Sequence, residues 1–308
     1  MTQPDANPDN LPPILAPAGN PARKTQMRGI ALLLMAIVIF SMMDATAKYL
    51  GESYPPAQIV WARFVGNLAI VAVILGPRLP RTLVSTRPGL QLARGLTHIA
   101  SSGLFFTSLQ FIGLADATAI MDINPVLITL GAAVFLGESI GLRRILGIGA
   151  ALVGALIIIR PGAGVFHPAG VLPLIGAFTY AAGAILTRLT REDSTATSIL
   201  WSALVGSILA SLVVPFFWQP IDPRHIWAFV LLGLLGAVSQ ALLIRAFALA
   251  EASAIAPFGY TGLIWAGFWG WLVWGAIPDV WTVIGALIIV LAGIYVWMRE
   301  ARAMKRVA

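Results

Sequence analysis

Apolar runs of about 20 residues recur along the whole chain, and that is the length a helix needs to cross the hydrocarbon core of a bilayer. They fall at 28–48, 57–76, 91–111, 117–137, 142–160, 169–189, 196–216, 225–248, 253–275 and 280–298, with connectors as short as "GLAD" and "AIPD". In lipid a segment has to satisfy its own backbone N–H and C=O groups, which leaves helices and closed barrels. The period-two alternation of barrel strands is missing. The expected fold class is therefore all-α integral membrane, with ten transmembrane helices. Composition agrees, since 58% of residues are hydrophobic and 11% charged, against a charged share of roughly 25% in soluble domains.

The formal charge of +7 would suit nucleic acid only if Lys and Arg gathered into a solvated patch. Here they are scattered between apolar runs, so no nucleic-acid partner is expected. Their distribution instead sets orientation, because cytoplasmic connectors retain positive residues. With the N-terminus inside, the inner side collects Arg23, Lys24 and Arg28, then Arg78, Arg81, Arg87 and Arg94, then Arg143 and Arg144, Arg188 and Arg191, Arg245, and the closing Arg299, Arg302, Lys305 and Arg306. The outer side holds Lys48, Arg160 and Arg224. Both termini are thus expected in the cytoplasm, in a multi-pass protein of a bacterial inner membrane. Residues 1–27, rich in Pro and Asn, cannot bury enough surface to order themselves and read as a disordered tail. No short apolar core with a small-residue cleavage site stands near Met1, so a removable signal peptide is not expected.

The phrase "GLADATAIMDINP" (113–125) returns as "ALAEASAIAPFGY" (248–260), and "IVWARFVGN" (59–67) returns as "ILWSALVGS" (199–207). The order of runs one to five is repeated in runs six to ten. Five is odd, so the second copy enters the membrane from the opposite side. Two such halves are related by a pseudo-two-fold axis in the membrane plane, an architecture of secondary transporters. The expected organisation is a first five-helix repeat at 28–160, an inverted second at 169–299, and a short basic tail at 300–308.

Residues 28 to about 299, with "ATAIMDINPVLITLGAAVFLGESI" closing the first repeat and the matching stretch from Ala252 closing the second, resemble the drug/metabolite transporter superfamily, in the bacterial EamA-type exporter group. The "GE" at Gly137 and Glu138 fits that pattern. The second repeat departs from it, with Gly275 followed by Ala276. The resemblance implies export of small metabolites, with a similarity to aromatic amino-acid and paraquat exporters as one branch. It is specific for fold and weak for substrate.

The residues themselves suggest where a solute would bind. Pro125 frees the carbonyl of Met121, and Pro257 that of Ser253, because proline breaks the i to i−4 bond. Paired interruptions in corresponding spans point to a midplane site; the plainer alternative is that both prolines merely bend helices whose neighbours re-satisfy them. Asn124 and Tyr260 sit at these breaks. Ionisable groups inside spans cost on the order of 3 kcal/mol each and are functional candidates. Asp44 pairs with Lys48 one turn away or serves as a gate. Arg63 reaches the outer interface or binds a substrate carboxylate. Asp122 is a candidate proton or ammonium partner, while Asp116 and Glu251 read as helix caps. His98, Gln240 and Tyr180 are candidate cavity residues. Trp265, which shares a face with Trp269, is a possible stacking wall for aromatic solutes.

The absence of cysteine excludes thiolate chemistry, and no GxxxxGK[ST] phosphate loop occurs. Three widely spaced histidines and no HExxH make a membrane enzyme the weakest reading. No cofactor, metal or nucleotide is expected, and a monomer suffices to enclose a cavity. The sequence therefore predicts a secondary transporter of amino acids, including neutral and aromatic ones, working by alternating access. The alternatives are another solute of the same superfamily, or a channel.

Overall fold

The computed structural model describes residues 21–124, 126–128, 130–131, 142–159, 168–190, 192–249 and 256–307. Among them the chain is all-helical, with no strand. The helices of eight or more residues are α1 (Pro21–Gly51), α2 (Pro56–Leu75), α3 (Pro88–Ser108), α4 (Leu114–Met121), α5 (Leu142–Ile159), α6 (Val171–Leu189), α7 (Thr195–Val213), α8 (Ile226–Leu249), α9 (Thr261–Trp274) and α10 (Val280–Val307). Five stretches are long and apolar enough to cross a membrane: Met27–Gly51, Pro56–Thr82, Pro168–Thr187, Thr195–Phe217 and Pro223–Leu243. Gly149–Ile158 and Val280–Tyr295 are shorter apolar helices. α1 begins at Pro21, earlier than the apolar run, because a proline in the first turn loses no hydrogen bond.

Local chemistry sets the helix ends. Ser194 caps α7 by accepting from the Thr197 amide at 3.0 Å, and prolines open α2 and α3. α9 ends at Gly275, whose φ of 63° is the left-handed conformation glycine adopts without strain. There the Gly275 and Ala276 amides donate back to Trp271 and Gly270.

The packing inverts the soluble-protein pattern. Ala36, Ala117, Ala155, Ala177, Ala203 and Ala228 are fully buried, whereas Val73, Phe216 and Ile264 are exposed. In lipid there is no hydrophobic drive between helices, so small residues that admit close approach occupy the contacts. Gly66 of α2 and Gly233 of α8 show how close: a Cβ on Gly66 would lie 2.7 Å from the Gly233 Cα.

α1 packs on α8, α3 on α6 and α5 on α10; α2 lies against α7 and α8, α7 against α3, and α9 contacts both α1 and α4. Replacing each helix by the one five places away in this pattern turns α1–α8 into α6–α3, and α2–α8 into α7–α3. Hydrogen bonds then sort the connectors. Gln110 donates to Gly51 and Tyr54 oxygens, and the Tyr54 hydroxyl accepts from the Asp222 amide and shares a hydrogen bond with His225 Nδ1. The α1–α2, α3–α4 and α7–α8 connectors therefore meet at one end. At the opposite end the α2–α3 connector meets the α6–α7 connector through Asp193.

Candidate functional site

Arg63 is the centre of a polar cluster where α1, α2, α3 and α6 face each other. Its Nη1 donates to Ser102 Oγ of α3 at 3.1 Å, and its guanidinium lies 5.2 Å from the Phe106 ring and 5.8 Å from that of Phe64. A delocalised, weakly hydrated cation suits such aromatic faces. Asp44 of α1 and Tyr180 of α6 act on it electrostatically, yet Asp44 and Arg63 form no ion pair within 4.0 Å. Arg63 therefore turns inward to the bundle and does not reach for an interface. His98 of α3 stands edge-on to Phe64, with ring centroids 5.4 Å apart.

Tyr180 is 44% exposed and acts electrostatically on Arg63. Ser101, next to Ser102, donates to the Gly176 carbonyl of α6 at 2.9 Å. Gly176 in turn lies against the Met121 sulfur, so the end of α4 borders the same cluster.

α4 stops at Met121, and Asp122 and Ile123 form a turn; Pro125 lies outside the described residues. The matching segment before α9 is a 3-10 turn, Ala256–Tyr260, which contains Pro257. Asp122 Oδ2, Asn124 Oδ1 and the Tyr260 hydroxyl are buried without a hydrogen-bond partner. Tyr260 acts electrostatically on Asp122, and its hydroxyl is pressed against Gly293 of α10, where any side chain would collide with it.

Of the other candidates, Gln240 of α8 is half-buried and next to Ser239, whose hydroxyl is consumed by the Leu235 carbonyl of its own helix at 2.6 Å. Trp265 packs edge-on to Phe268. Trp269 donates to Ser41 Oγ of α1, so it joins α9 to α1.

Two expected pairings are corrected. Lys48 does not bond Asp44; its ammonium donates to the Leu109 and Ile112 carbonyls at 2.8 and 2.9 Å. The last carbonyls of a helix lack intrahelical donors and draw a nearby cation. Asp116 does not cap α4 but accepts from the Thr282 hydroxyl at 2.6 Å, tying α4 to α10. Glu251 lies outside the described residues. Lys48 also stands over the Trp274 ring, whose Nε1 donates to Glu52. One end of the bundle is thus tied by contacts among α1, the α3–α4 corner and the α9–α10 corner.

Sequence reasoning missed the knot at the other end. Asp193 accepts from Ser85 Oγ, from Gln91 Nε2 at 2.8 Å, and from the amide and hydroxyl of Thr86. Desolvation raises the Asp193 carboxyl, but these hydrogen bonds outweigh it and hold the group well below the usual carboxylate range. Arg94 donates to the Ser198 carbonyl, and Gln91 to its hydroxyl. The signal available was Gln91, an amide at the threshold of an apolar run.

The model of the EamA-like transporter family matches residues 27–160 and 168–298. This chain belongs to that family. It is accordingly a multi-pass membrane protein of a transporter family, and its similar proteins are named as transporters, not enzymes. A pseudopaline exporter of Pseudomonas aeruginosa is 28% identical over 275 residues, covering 86% of this chain and 94% of the relative. An S-adenosylmethionine uptake transporter of Rickettsia felis is 24% identical over 93% of this chain and 98% of its own. A riboflavin transporter of Vibrio cholerae is 26% identical over 91% and 96%. A solved crystal structure shares the fold of this EamA-like chain, with a TM-score of 0.62 at 16% identity over 91% of this chain and 99% of that one.

Proposed function

We propose that this EamA-like protein is a secondary transporter that exports small zwitterionic metabolites, amino acids including neutral and aromatic ones, by alternating access. The observation that carries the substrate class is Arg63. A guanidinium with donors to spare and a nearby unpaired Asp44 are the two charges that a carboxylate and an ammonium on one small solute would match. Bidentate donation suits Arg for the carboxylate. His98, Tyr180, Asn124, Gln240, Tyr260 and Trp265 line or flank the path, with Asp44 and Arg63 as gating charges. S-adenosylmethionine, the solute named for one relative, carries an α-amino-acid group of this kind.

The architecture we propose is ten transmembrane helices in two inverted repeats, at 28–160 and 169–299, acting as a monomer in the inner membrane. Support comes from the family match in two segments, from the reciprocal packing of helices five places apart, and from the distribution of positive residues, which favours cytoplasmic termini. In that orientation the Lys48 end faces outward.

Counterflow in proteoliposomes preloaded with unlabelled amino acids tests the proposal, scanning labelled Phe, Trp, Met, Thr and Lys. Saturable exchange is expected, with a loss of at least about tenfold in Arg63→Gln, the scale of one hydrogen bond to a charged group. Flux that never saturates would overturn the carrier. The names of the relatives favour a second reading, a larger conjugated solute, and riboflavin in the same assay separates the two.

A further inference from the structure

The Arg63 cluster and the end of α4 hold two kinds of polar group. Around Arg63 the guanidinium has a hydroxyl partner and aromatic faces. At the end of α4 the Asp122 Oδ2 is buried with no partner, and its sequence neighbours Ile120 and Ile123 belong to the buried apolar cluster that includes Ala181 and Ile289. A carboxylate isolated in such a setting is expensive and takes up a proton or a cation. No described cation is available to it. Of the titratable groups on the elements packed against α4, Tyr260 interacts with Asp122, Tyr180 of α6 and Asp44 of α1 act on Arg63, and Lys48 of α1 bonds the Leu109 and Ile112 carbonyls. Arg23, Lys24, Arg28 and Tyr49 of α1, Arg188 of α6, and Arg299, Glu300, Arg302, Lys305 and Arg306 of α10 stand on the same elements. Tyr295 of α10 lies beyond Gly293, Arg143 and Arg144 stand in the first turn of α5, and α9 has none.

We propose that Asp122 is the proton-carrying site of this transporter, separate from the Arg63 solute site, with Tyr260 as the positioning residue that governs its exchange with water. In the state described, Asp122 is the neutral acid. When the turn before α9 moves, the Tyr260 hydroxyl leaves its seat on Gly293, water reaches Asp122, and the acid releases one proton and becomes the carboxylate. Rebinding a proton from the other side returns it. The break in α4 places the acid where backbone and side chain can move together. The proposal rests on the transporter reading for its role and on the unpartnered oxygens for its chemistry.

The test separates those two supports. The full chain is reconstituted in lipid vesicles and titrated with acid and base while infrared difference spectra follow the carbonyl stretch of protonated carboxyls. Wild type is expected to show a band that Asp122→Asn lacks, that Asp44→Asn keeps, and that Asp122→Glu retains at a shifted frequency. Tyr260→Phe is expected to keep the band and shift its titration midpoint by a unit or more. A spectrum unchanged by Asp122→Asn overturns the proposal, and so does a midpoint unchanged by Tyr260→Phe for the positioning role. An imposed pH gradient is then expected to accelerate labelled phenylalanine flux several-fold in wild type and not in Asp122→Asn. If no amino acid moves while the band behaves as expected, the substrate reading fails and the proton site stands.

Discussion

The two ends of the bundle are both tied by hydrogen bonds, but in different ways. At the Lys48 end one ammonium, one indole and one carboxylate join α1 to two separate corners, those of α3–α4 and α9–α10. At the Asp193 end, by contrast, one carboxylate gathers a hydroxyl, an amide side chain and a threonine from the opposite connector, so that the α2–α3 and α6–α7 links become one body. The first arrangement bridges its corners through three side chains, Lys48, Glu52 and Trp274, beside the connectors that Gln110 and Tyr54 tie together. The second is a compact, many-bonded knot that survives movement around it. We read the first as a gate and the second as scaffold.

Lys48→Met should show the largest effect. It removes two charge-assisted hydrogen bonds, together about 3 kcal/mol at about 1.5 each, which moves the ratio of closed to open states on the order of a hundredfold if the contacts exist in one state alone. The chain has no cysteine, so a single Tyr180→Cys reports this directly. Its labelling by a membrane-impermeant thiol reagent from outside should be slow, and fast once Lys48→Met is added. Equal rates would remove the gate. Asp193→Asn comes next. It should lower thermal stability by about 1 kcal/mol, the net scale of a hydrogen bond at a partly exposed acceptor, while leaving Tyr180→Cys labelling unchanged.

The Asp193 knot also carries a pH signature. Its folded carboxyl titrates below the unfolded value of about 3.9, so its stabilisation is fully present above that value and is lost as pH falls toward the depressed folded one. Melting temperature should therefore fall more steeply below about pH 4 in wild type than in Asp193→Asn. Matching acid limbs would show that other groups dominate. Arg87→Gln is the smallest change. Its 3.3 Å pair with Glu192 is half exposed on both sides, and exposed ion pairs contribute about 0–1 kcal/mol. A larger loss would place Arg87 inside the knot.

How much of this was legible depended on the range of the interaction. Apolar runs act within a few residues, so the all-helical, apolar character of the chain was visible in the sequence. Lys48 was misread because Asp44 is four residues away, while its actual acceptors, Leu109 and Ile112, belong to another helix end. The Asp193 knot was invisible because Ser85, Thr86 and Gln91 are ordinary loop and helix-start residues until folding brings them to Asp193. Asp116 failed likewise, since a capping role is local and Thr282 is not.

Ser101 and Ser102 are neighbours on α3. The first holds the backbone of α6 at Gly176, and the second holds the guanidinium of Arg63. Successive positions on a helix are about a hundred degrees apart, so any roll of α3 that relaxes one contact turns the other. The pair ties two seams to one helix: a roll of α3 that loosens its bond to α6 also turns the hydroxyl that steadies Arg63.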